Sequence, residues 1–278
     1  MTAYTDMVTE TAYAKINLAL HVRARRDDGY HDIETLFAFV DAGDGLDAAP
    51  RHDGAIMLSV EGPFAAGLEG DDNLVMRAAR ALYPYGSGVG ADIRLTKNLP
   101  VAAGIGGGSA DAAAALRLLL RLWGIRPMDI DLPAIALSLG ADVPACLASV
   151  TLRGSGVGER LEPVDLGMSG RPVLLVNPLT PCPTGPVFRA WDGVDRGALG
   201  DDPQGWRNDL EAPALTLVPE IGAVLAALRE AGDAAMVRMS GSGATCFALF
   251  EDRAACDAAH AAVGAAQPDW WTMAGALR

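Results

Sequence analysis

The sequence predicts an α+β chain folded as two units, and three observations carry that expectation. A strand with strict two-residue alternation lies near the start, over residues 12–22. A glycine-rich loop at residues 99–109 runs straight into an alanine-rich helix over 110–123. From residue 172 to 263, strands and helices alternate again in the manner of a small α+β sandwich. A boundary near Val164 or Asp165 separates the units into 1–164 and 165–278. At 278 residues the chain is long enough for one large domain or two ordinary ones.

In the first strand, Ala14, Ile16, Leu18, Leu20 and Val22 fall on one face. That face belongs to a core. Tyr13, Lys15, Asn17, Ala19 and His21 fall on the other. A lysine beside an amide suits a substrate cleft, and it equally suits a solvated sheet face. A polar turn from Arg23 then leads to the pair Tyr30-His31 and to a second strand over 32–40. An aromatic in such a loop also serves simply to close over a core. Residues 72–82 have helical spacing, with Asp72 or Asn73 as cap. The strand over 91–97 delivers the chain to the glycine-rich loop.

That loop reads Leu99-Pro-Val-Ala-Ala-Gly-Ile-Gly-Gly-Gly-Ser109. Gly104, Gly106, Gly107 and Gly108 remove the Cβ atoms that would hold an anion away from the backbone. Ser109 is placed to cap the following helix, whose start also carries Asp111. Free N–H groups and the positive end of the helix dipole complete a phosphate site. A bare turn needs only one or two glycines, and each costs roughly 0.5–1 kcal/mol relative to alanine in regular structure. The pattern therefore points to a phosphate cradle. It is not a Walker loop, because no lysine follows the glycines. It is not a dinucleotide fingerprint either, since Ser109 takes the last glycine's place and residues 128–133 read as a helix start.

A third candidate is Leu139-Gly-Ala-Asp-Val-Pro144, after an apolar helical run over 132–139. Pro144 is expected to hold Val143 out of the helical region. Asp142 either caps the next helix or serves as a base or magnesium ligand. Beyond it, residues 150–153 and 154–159 read as a strand and a glycine-rich loop, and 172–177 as a strand. Helix 221–230, strands 235–239 and 245–250, and helix 253–263 complete the pattern. Ser240-Gly-Ser-Gly243 between the last two strands is a tight hairpin or a loop closing over substrate phosphates. Residues 192–208, rich in Gly and Asp, read as a mobile connection.

Composition narrows the function classes. Half the residues are hydrophobic and 6% aromatic, yet no uncharged apolar run reaches the ~18 residues of a membrane span. The first ten residues lack the basic start and apolar core of a signal peptide. Cys146, Cys182, Cys246 and Cys256 are scattered without CxxC spacing, which suits a reducing cytoplasm. His21, His31, His52 and His260 are too dispersed for a zinc site. The net charge of −13 argues against a nucleic-acid partner. An anionic ligand must then be held by local donors, lysines and a divalent cation.

In their order, the loop at 104–109, the Gly140-Ala-Asp142-Val-Pro144 turn and the Ser240-Gly-Ser-Gly243 loop resemble the three motifs of GHMP kinases. That superfamily includes galactokinases, homoserine kinases and mevalonate kinases. Ala14-Lys15-Ile-Asn17-Leu, Asp28-Gly-Tyr30-His31 and Glu34-Thr-Leu-Phe37 narrow the resemblance to the 4-diphosphocytidyl-2-C-methyl-D-erythritol kinases. It covers nearly the whole chain, most strongly through residue 160 and least from 190 to 205.

The resemblance implies an α+β, two-domain GHMP kinase architecture. Residues 1–164 would form an N-terminal ATP-binding and catalytic domain like the second domain of ribosomal protein S5, and 165–278 a ferredoxin-like α/β sandwich. It implies transfer of phosphate from ATP to the 2-hydroxyl of 4-diphosphocytidyl-2-C-methyl-D-erythritol, in non-mevalonate isoprenoid synthesis, with Mg2+ bridging the outer phosphates. By the same likeness Lys15 and Asp142 converge as the catalytic pair. Asp142 would accept or orient the hydroxyl proton, and Lys15 would position the groups and offset developing charge. Pro100, Val101, Ala102, Ala103, Gly104, Ile105, Gly106, Gly107, Gly108, Ser109 and Ala110 would hold the ATP phosphates. Tyr30 and His31 would take the cytidine end, with Phe188 closing over the cytosine ring. Asn17 would lie near the diphosphate, and Gly243 in the substrate loop. Some relatives carry glycine at 102 and 103 and serine at 110, where this chain has alanine, which stiffens the loop's early part.

The implied partners are ATP and a small-molecule substrate, with neither nucleic acid nor membrane, for a cytoplasmic monomer or homodimer. Two other readings compete. A GHMP kinase for homoserine or mevalonate is opposed by Tyr30-His31 following Asp28-Gly, and a non-catalytic nucleotide-binding scaffold by the presence of both Lys15 and Asp142.

Overall fold

A computed structural model describes residues 7–278, so the first six residues of the segment read against a signal peptide lie outside the described residues. The chain opens with β1 (Val8–Arg25), β2 (His31–Arg51), β3 (Ile56–Glu61), α1 (Leu74–Leu82) and β4 (Gly90–Thr96). Next come α2 (Gly107–Leu122), α3 (Leu132–Leu139), α4 (Val143–Ala148), β5 (Leu152–Gly156) and β6 (Arg160–Pro163). The remainder comprises β7 (Pro172–Asn177), α5 (Thr184–Arg189), α6 (Glu211–Leu217), α7 (Glu220–Glu230), β8 (Met236–Met239), β9 (Cys246–Leu249), α8 (Arg253–Ala266) and β10 (Trp271–Ala276). The chain divides into two compact units. One comprises Met1–Ala14, Gly43–Val101 and Gly107–Ala148, the other Lys15–Ala42, Ala102–Gly106 and Ser149–Arg278.

In the first unit β3 runs parallel to β4, and β4 pairs antiparallel with the second half of β2, from Gly45 opposite Thr96 to Arg51 opposite Gly90. Leu46, Ala48, Ile93 and Leu95 alternate into the core while Asp92 and Arg94 face out, as a period of two requires. Helix α2 packs against α1 and α4. Its Ala112, Ala113, Ala114 and Ala115 are wholly buried, and such small side chains let helix backbones approach closely. Of the two candidate caps for α1, Asn73 is the one used, its Oδ1 accepting the Val75 N–H at 2.8 Å.

Two local expectations are corrected here. Helix α2 begins at Gly107, so Ser109 sits inside its first turn and not at the cap. Gly106, with φ +64°, makes the last left-handed step, and the helix starts immediately after it. Val143 is likewise helical, because Pro144 occupies the second position of α4, where a missing N–H costs nothing.

In the second unit Ile33–Phe37 of β2 pairs antiparallel with β5, and β5 with β6. Residues expected as a strand and glycine loop thus form a hairpin. Gly154 lies in β5 because a Cβ there would come within 2.8 Å of the Phe37 ring. A four-stranded antiparallel sheet follows, ordered β10-β7-β9-β8, with α7 and α8 packed on it. Its core includes Leu174, Val176, Ile221, Val224, Leu228, Ala248 and Val263. This is the α/β sandwich the sequence led us to expect, with β10, α5 and α6 added.

Residues 192–208 are tethered and do not form a loose connection. The Leu199 N–H donates to Glu34 at 2.5 Å, its carbonyl accepts from Arg153 at 2.7 Å, and the Gly197 carbonyl accepts from His21 Nδ1 at 3.2 Å. Leu199 and Trp206 are buried. Those partners lie far away in sequence, where local composition gives no sign of them.

Candidate active site

The second unit takes residues 15–25 of β1. Ile16, Leu18, Leu20 and Val22 are buried, as the alternation requires, but the opposite face is buried too. Lys15 is 5% exposed and Asn17 2%, which removes the solvated-face alternative. Burying an ammonium group costs several kcal/mol unless its hydrogen bonds are met. Lys15 Nζ donates to Asn17 Oδ1 at 3.1 Å and lies 5.0 Å from the centre of the Phe37 ring. Asn17 Nδ2 donates to Thr35 Oγ1 at 2.8 Å, and that hydroxyl donates to the Ala19 carbonyl at 2.6 Å. The relay allows only one amide orientation, with the oxygen toward the lysine.

Backbone contacts tie this strand to the early part of the glycine-rich loop. The Lys15 N–H donates to the Ile105 carbonyl at 3.0 Å. The Asn17 N–H donates to Ser240 Oγ at 3.1 Å, and that hydroxyl donates to the Gly104 carbonyl at 3.0 Å. Ser240 lies in the connection between β8 and β9, an antiparallel pair with Met239 opposite Cys246, so the second glycine-rich loop is a hairpin. That hairpin docks on the first loop, with the Thr245 N–H donating to the Ala103 carbonyl at 3.1 Å. A Cβ at Gly104 would lie 2.6 Å from the Ser240 carbonyl oxygen and 2.7 Å from that of Gly243. Only glycine permits that approach, and with φ +77° only glycine adopts the backbone without strain. Gly243 packs inward, where a Cβ would meet Met239 Sδ at 2.9 Å.

In the first unit Gly107, Gly108, Ser109 and Ala110 form the opening turn of α2. First-turn N–H groups have no intrahelical partner, and the helix dipole favours an anion beside them. The turn carrying Asp142 is a neighbour, since a Cβ at Gly140 would fall 3.9 Å from Ser109 Oγ and 3.5 Å from Val143 Cγ2. Asp142 is half-buried immediately before α4, its carbonyl accepting the Cys146 N–H at 3.0 Å. Pro100 is buried and Val101 exposed.

Asp111 is not available to a phosphate or metal on the surface. Its Oδ2 accepts from Lys97 Nζ at 2.8 Å, and the same ammonium group donates to Asp44. Asp44 Oδ1 also accepts the N–H groups of Asn98 at 2.6 Å and Leu99 at 2.8 Å, which fixes the chain as it enters the loop. All three side chains are buried. Burial pushes Asp111 up to about 8, Lys97 opposes the rise, and Asp44 adds to it. Burial pulls Lys97 down, but the two carboxylates outweigh it and hold that ammonium above its ordinary range.

His31 and Phe188 pack together in the second unit, and Tyr30 precedes His31 on an exposed turn. Asp28 Oδ1 accepts the Tyr30 N–H at 3.0 Å across Gly29, whose φ of +87° turns the chain. Tyr30 is 64% exposed, whereas His31 is buried against Phe188 of α5, ring centres 5.1 Å apart, and edge-on to Trp191 at 5.8 Å. Burial lowers the His31 pKa, and the Arg25 charge lowers it further.

Two family models match the chain: the GHMP kinase N-terminal domain at residues 73–149 and the GHMP kinase C-terminal domain at 198–269. A 4-diphosphocytidyl-2-C-methyl-D-erythritol kinase of Rhizorhabdus wittichii is 56% identical, over 97% of this chain and 94% of that protein. One from Novosphingobium aromaticivorans is 55% identical, over 97% and 92%. The chain belongs to the 4-diphosphocytidyl-2-C-methyl-D-erythritol kinase family. A crystal structure titled 4-(cytidine 5'-diphospho)-2C-methyl-D-erythritol kinase superposes with TM-score 0.81 at 37% identity, covering 97% of this chain and 99% of that one. Homoserine kinase from Cytophaga hutchinsonii shares the fold, with TM-score 0.74 at 19% identity over 100% and 96%. In this member of the family, the N-terminal match takes in α2 and the Asp142 turn, and the C-terminal match takes in the Ser240–Gly243 hairpin.

Sequence reasoning passed over Trp191 and Arg25, and it quoted Thr35 and Ser240 within motifs without giving their hydroxyls a role. The signal for Arg25 was present: the period that puts Lys15, Asn17 and His21 on one face of β1 continues through Arg23 to Arg25. The glycine-rich loop marks Ser240 locally, but nothing local marks the partners of its hydroxyl, which are 136 and 223 residues away.

Proposed function

We propose that this chain transfers the γ-phosphoryl group of ATP to the 2-hydroxyl of 4-diphosphocytidyl-2-C-methyl-D-erythritol, releasing ADP. The observation that carries the reading is the buried Lys15, held by Asn17 and Thr35 on a strand hydrogen-bonded to the glycine-rich loop. Such an ammonium group is pre-positioned, and phosphoryl transfer depends chiefly on positioning and on neutralising charge.

Lys15 and Asp142 are the catalytic pair. Asp142 accepts or orients the proton of the attacking hydroxyl, and Lys15 offsets the charge that develops as the phosphoryl group moves. Residues 100–110 bind the ATP phosphates, and the free N–H groups opening α2 supply donors. Asn17 and Gly243 lie toward the substrate diphosphate, and Tyr30, His31 and Phe188 take the cytosine ring. Residues 1–164 act as the ATP-binding and catalytic domain and 165–278 as the C-terminal domain.

Among the described residues no three His, Cys, Asp or Glu side chains cluster to hold a metal ion. A Mg2+ arriving with ATP would take ligands largely from phosphate and water, as that ion usually does, and would supply positive charge beside the phosphates. No helix among the described residues is long and apolar enough to cross a membrane. The four cysteines are free and buried, in keeping with a reducing cytoplasm as the place of action, for a monomer or homodimer.

The test is ADP release on a substrate panel. Turnover on the cytidylyl alcohol with none on homoserine or mevalonate is expected. Turnover on homoserine alone would overturn the reading.

A further inference from the structure

Arg25 stands at the end of β1 and is not one of the residues expected to touch substrate. Its Nε donates to His31 Nε2 at 3.4 Å. Its terminal nitrogen donates to the carbonyls of Arg189 at 3.3 Å and Trp191 at 3.4 Å, at the end of α5 and just beyond it. One planar guanidinium thus links the turn bearing Tyr30 and His31 to the helix bearing Phe188. Carbonyls at a helix C-terminus are natural acceptors for a cation. The fork geometry matters, because arginine can satisfy two separate partners in one plane and lysine cannot.

We propose that Arg25 is a positioning residue for the nucleobase: it fixes the separation of His31 from Phe188 and sets which ring nitrogen of His31 carries the proton. A neutral imidazole that accepts at Nε2 must bear its hydrogen on Nδ1. His31 therefore offers a planar ring ligand an N–H donor at Nδ1, suited to a ring oxygen or nitrogen acceptor. Burial and then the Arg25 charge lower the His31 pKa, which favours the neutral form. The charged group on His31 is Arg25. Arg26, on the same turn, is occupied by Asp28 and Asp32. From the helix side the uncharged rings of Phe188 and Trp191 pack against His31. The Trp191 indole N–H is buried with no partner among the described residues, so a second donor is left beside the same ring.

This inference rests on the proposed substrate, and its test separates the two. In Arg25→Met, KM for the cytidylyl alcohol should rise tenfold or more, while kcat and KM for ATP stay within twofold. Arg25→Lys, which restores charge without the fork, should fall between the two. In the same Arg25→Met protein, NMR titration of His31 should show its pKa moving upward. That second readout needs no substrate, so it remains decisive if the chain turns over no cytidylyl alcohol, a result that would sink the proposed function alone. An unchanged KM for the cytidylyl alcohol, parallel changes in both KM values, or an unmoved His31 titration would overturn the role given to Arg25.

Discussion

The two halves of the glycine-rich loop use the same residue for different physical ends. In residues 102–106 the chain repeatedly takes left-handed steps, at Ala102 with φ +52°, Gly104 with +77° and Gly106 with +64°. Here glycine serves the fold, since the Gly104 backbone lies against the Ser240 and Gly243 carbonyls with no room for a Cβ. Gly107 and Gly108 are helical, and their nearest neighbours leave a Cβ 3.4 Å from Lys97 Nζ and 3.4 Å from Leu74 Cδ1, respectively. Nothing in the packing there forbids alanine outright. On the proposed function, a side chain there would obstruct the approach of the ATP phosphates to the first-turn N–H groups. A run of glycines that reads as one motif is thus a docking joint followed by a helix start, and on the proposed function that helix start is where the ATP phosphates bind.

Several substitutions can break or sharpen that contrast. The largest effect belongs to the chemistry beside the second half: Asp142→Asn should lower kcat by roughly 10²–10⁴-fold, about 3–5 kcal/mol in the barrier, while ATP still binds. Steady-state kinetics together with calorimetric ATP titration measure both. Next comes Gly104→Ala, which adds a backbone clash to an unfavourable φ and should cost about 3 kcal/mol of folding stability by urea denaturation. The paired variant Gly108→Ala should change stability by no more than about 1 kcal/mol, because alanine is the better helix former. Its KM for ATP should rise instead. If both variants lost stability equally, or both left it alone, the two halves would not differ in kind.

A smaller effect comes from the triad beneath the loop. Asp111 has a raised pKa when folded, so the folded chain binds its proton more tightly than the unfolded chain does. Its contribution is fully present below the ordinary carboxylate range and is lost as pH rises toward about 8. Between pH 5 and 8 the wild type should therefore lose stability relative to Asp111→Asn, by at most ~1.4 kcal/mol per pH unit. Parallel stability curves for the two proteins would show that Asp111 stays ionised throughout.

Much of this was legible in the chain itself, where the signal is local. The alternation in β1, the Asn73 cap, the apolar run of α3 and the strand β7 all follow from spacing. What sequence reasoning could not see is decided by distant partners. The polar face of β1 is buried because Thr35 and Ser240 cover it with hydroxyls, and Gly154 sits within a strand because Phe37 needs its missing Cβ. Residues 192–208 looked loose because their anchors, Glu34 and Arg153, are charged residues with no local signature. Ser109 was misjudged by its position, since the helix starts earlier than the last glycine suggested. At the candidate site the residue types were readable. The Asn17–Thr35 relay that orients Lys15 was not, because it depends on two strands folding side by side.

The most direct measurement of the central claim is a crystal structure with a non-hydrolysable ATP analogue and the cytidylyl alcohol bound together. The account predicts the Lys15 ammonium group and the Asp142 carboxylate both within about 3 Å of the 2-hydroxyl or the phosphoryl group facing it. Either side chain turned away, with the hydroxyl met by other residues, would contradict it.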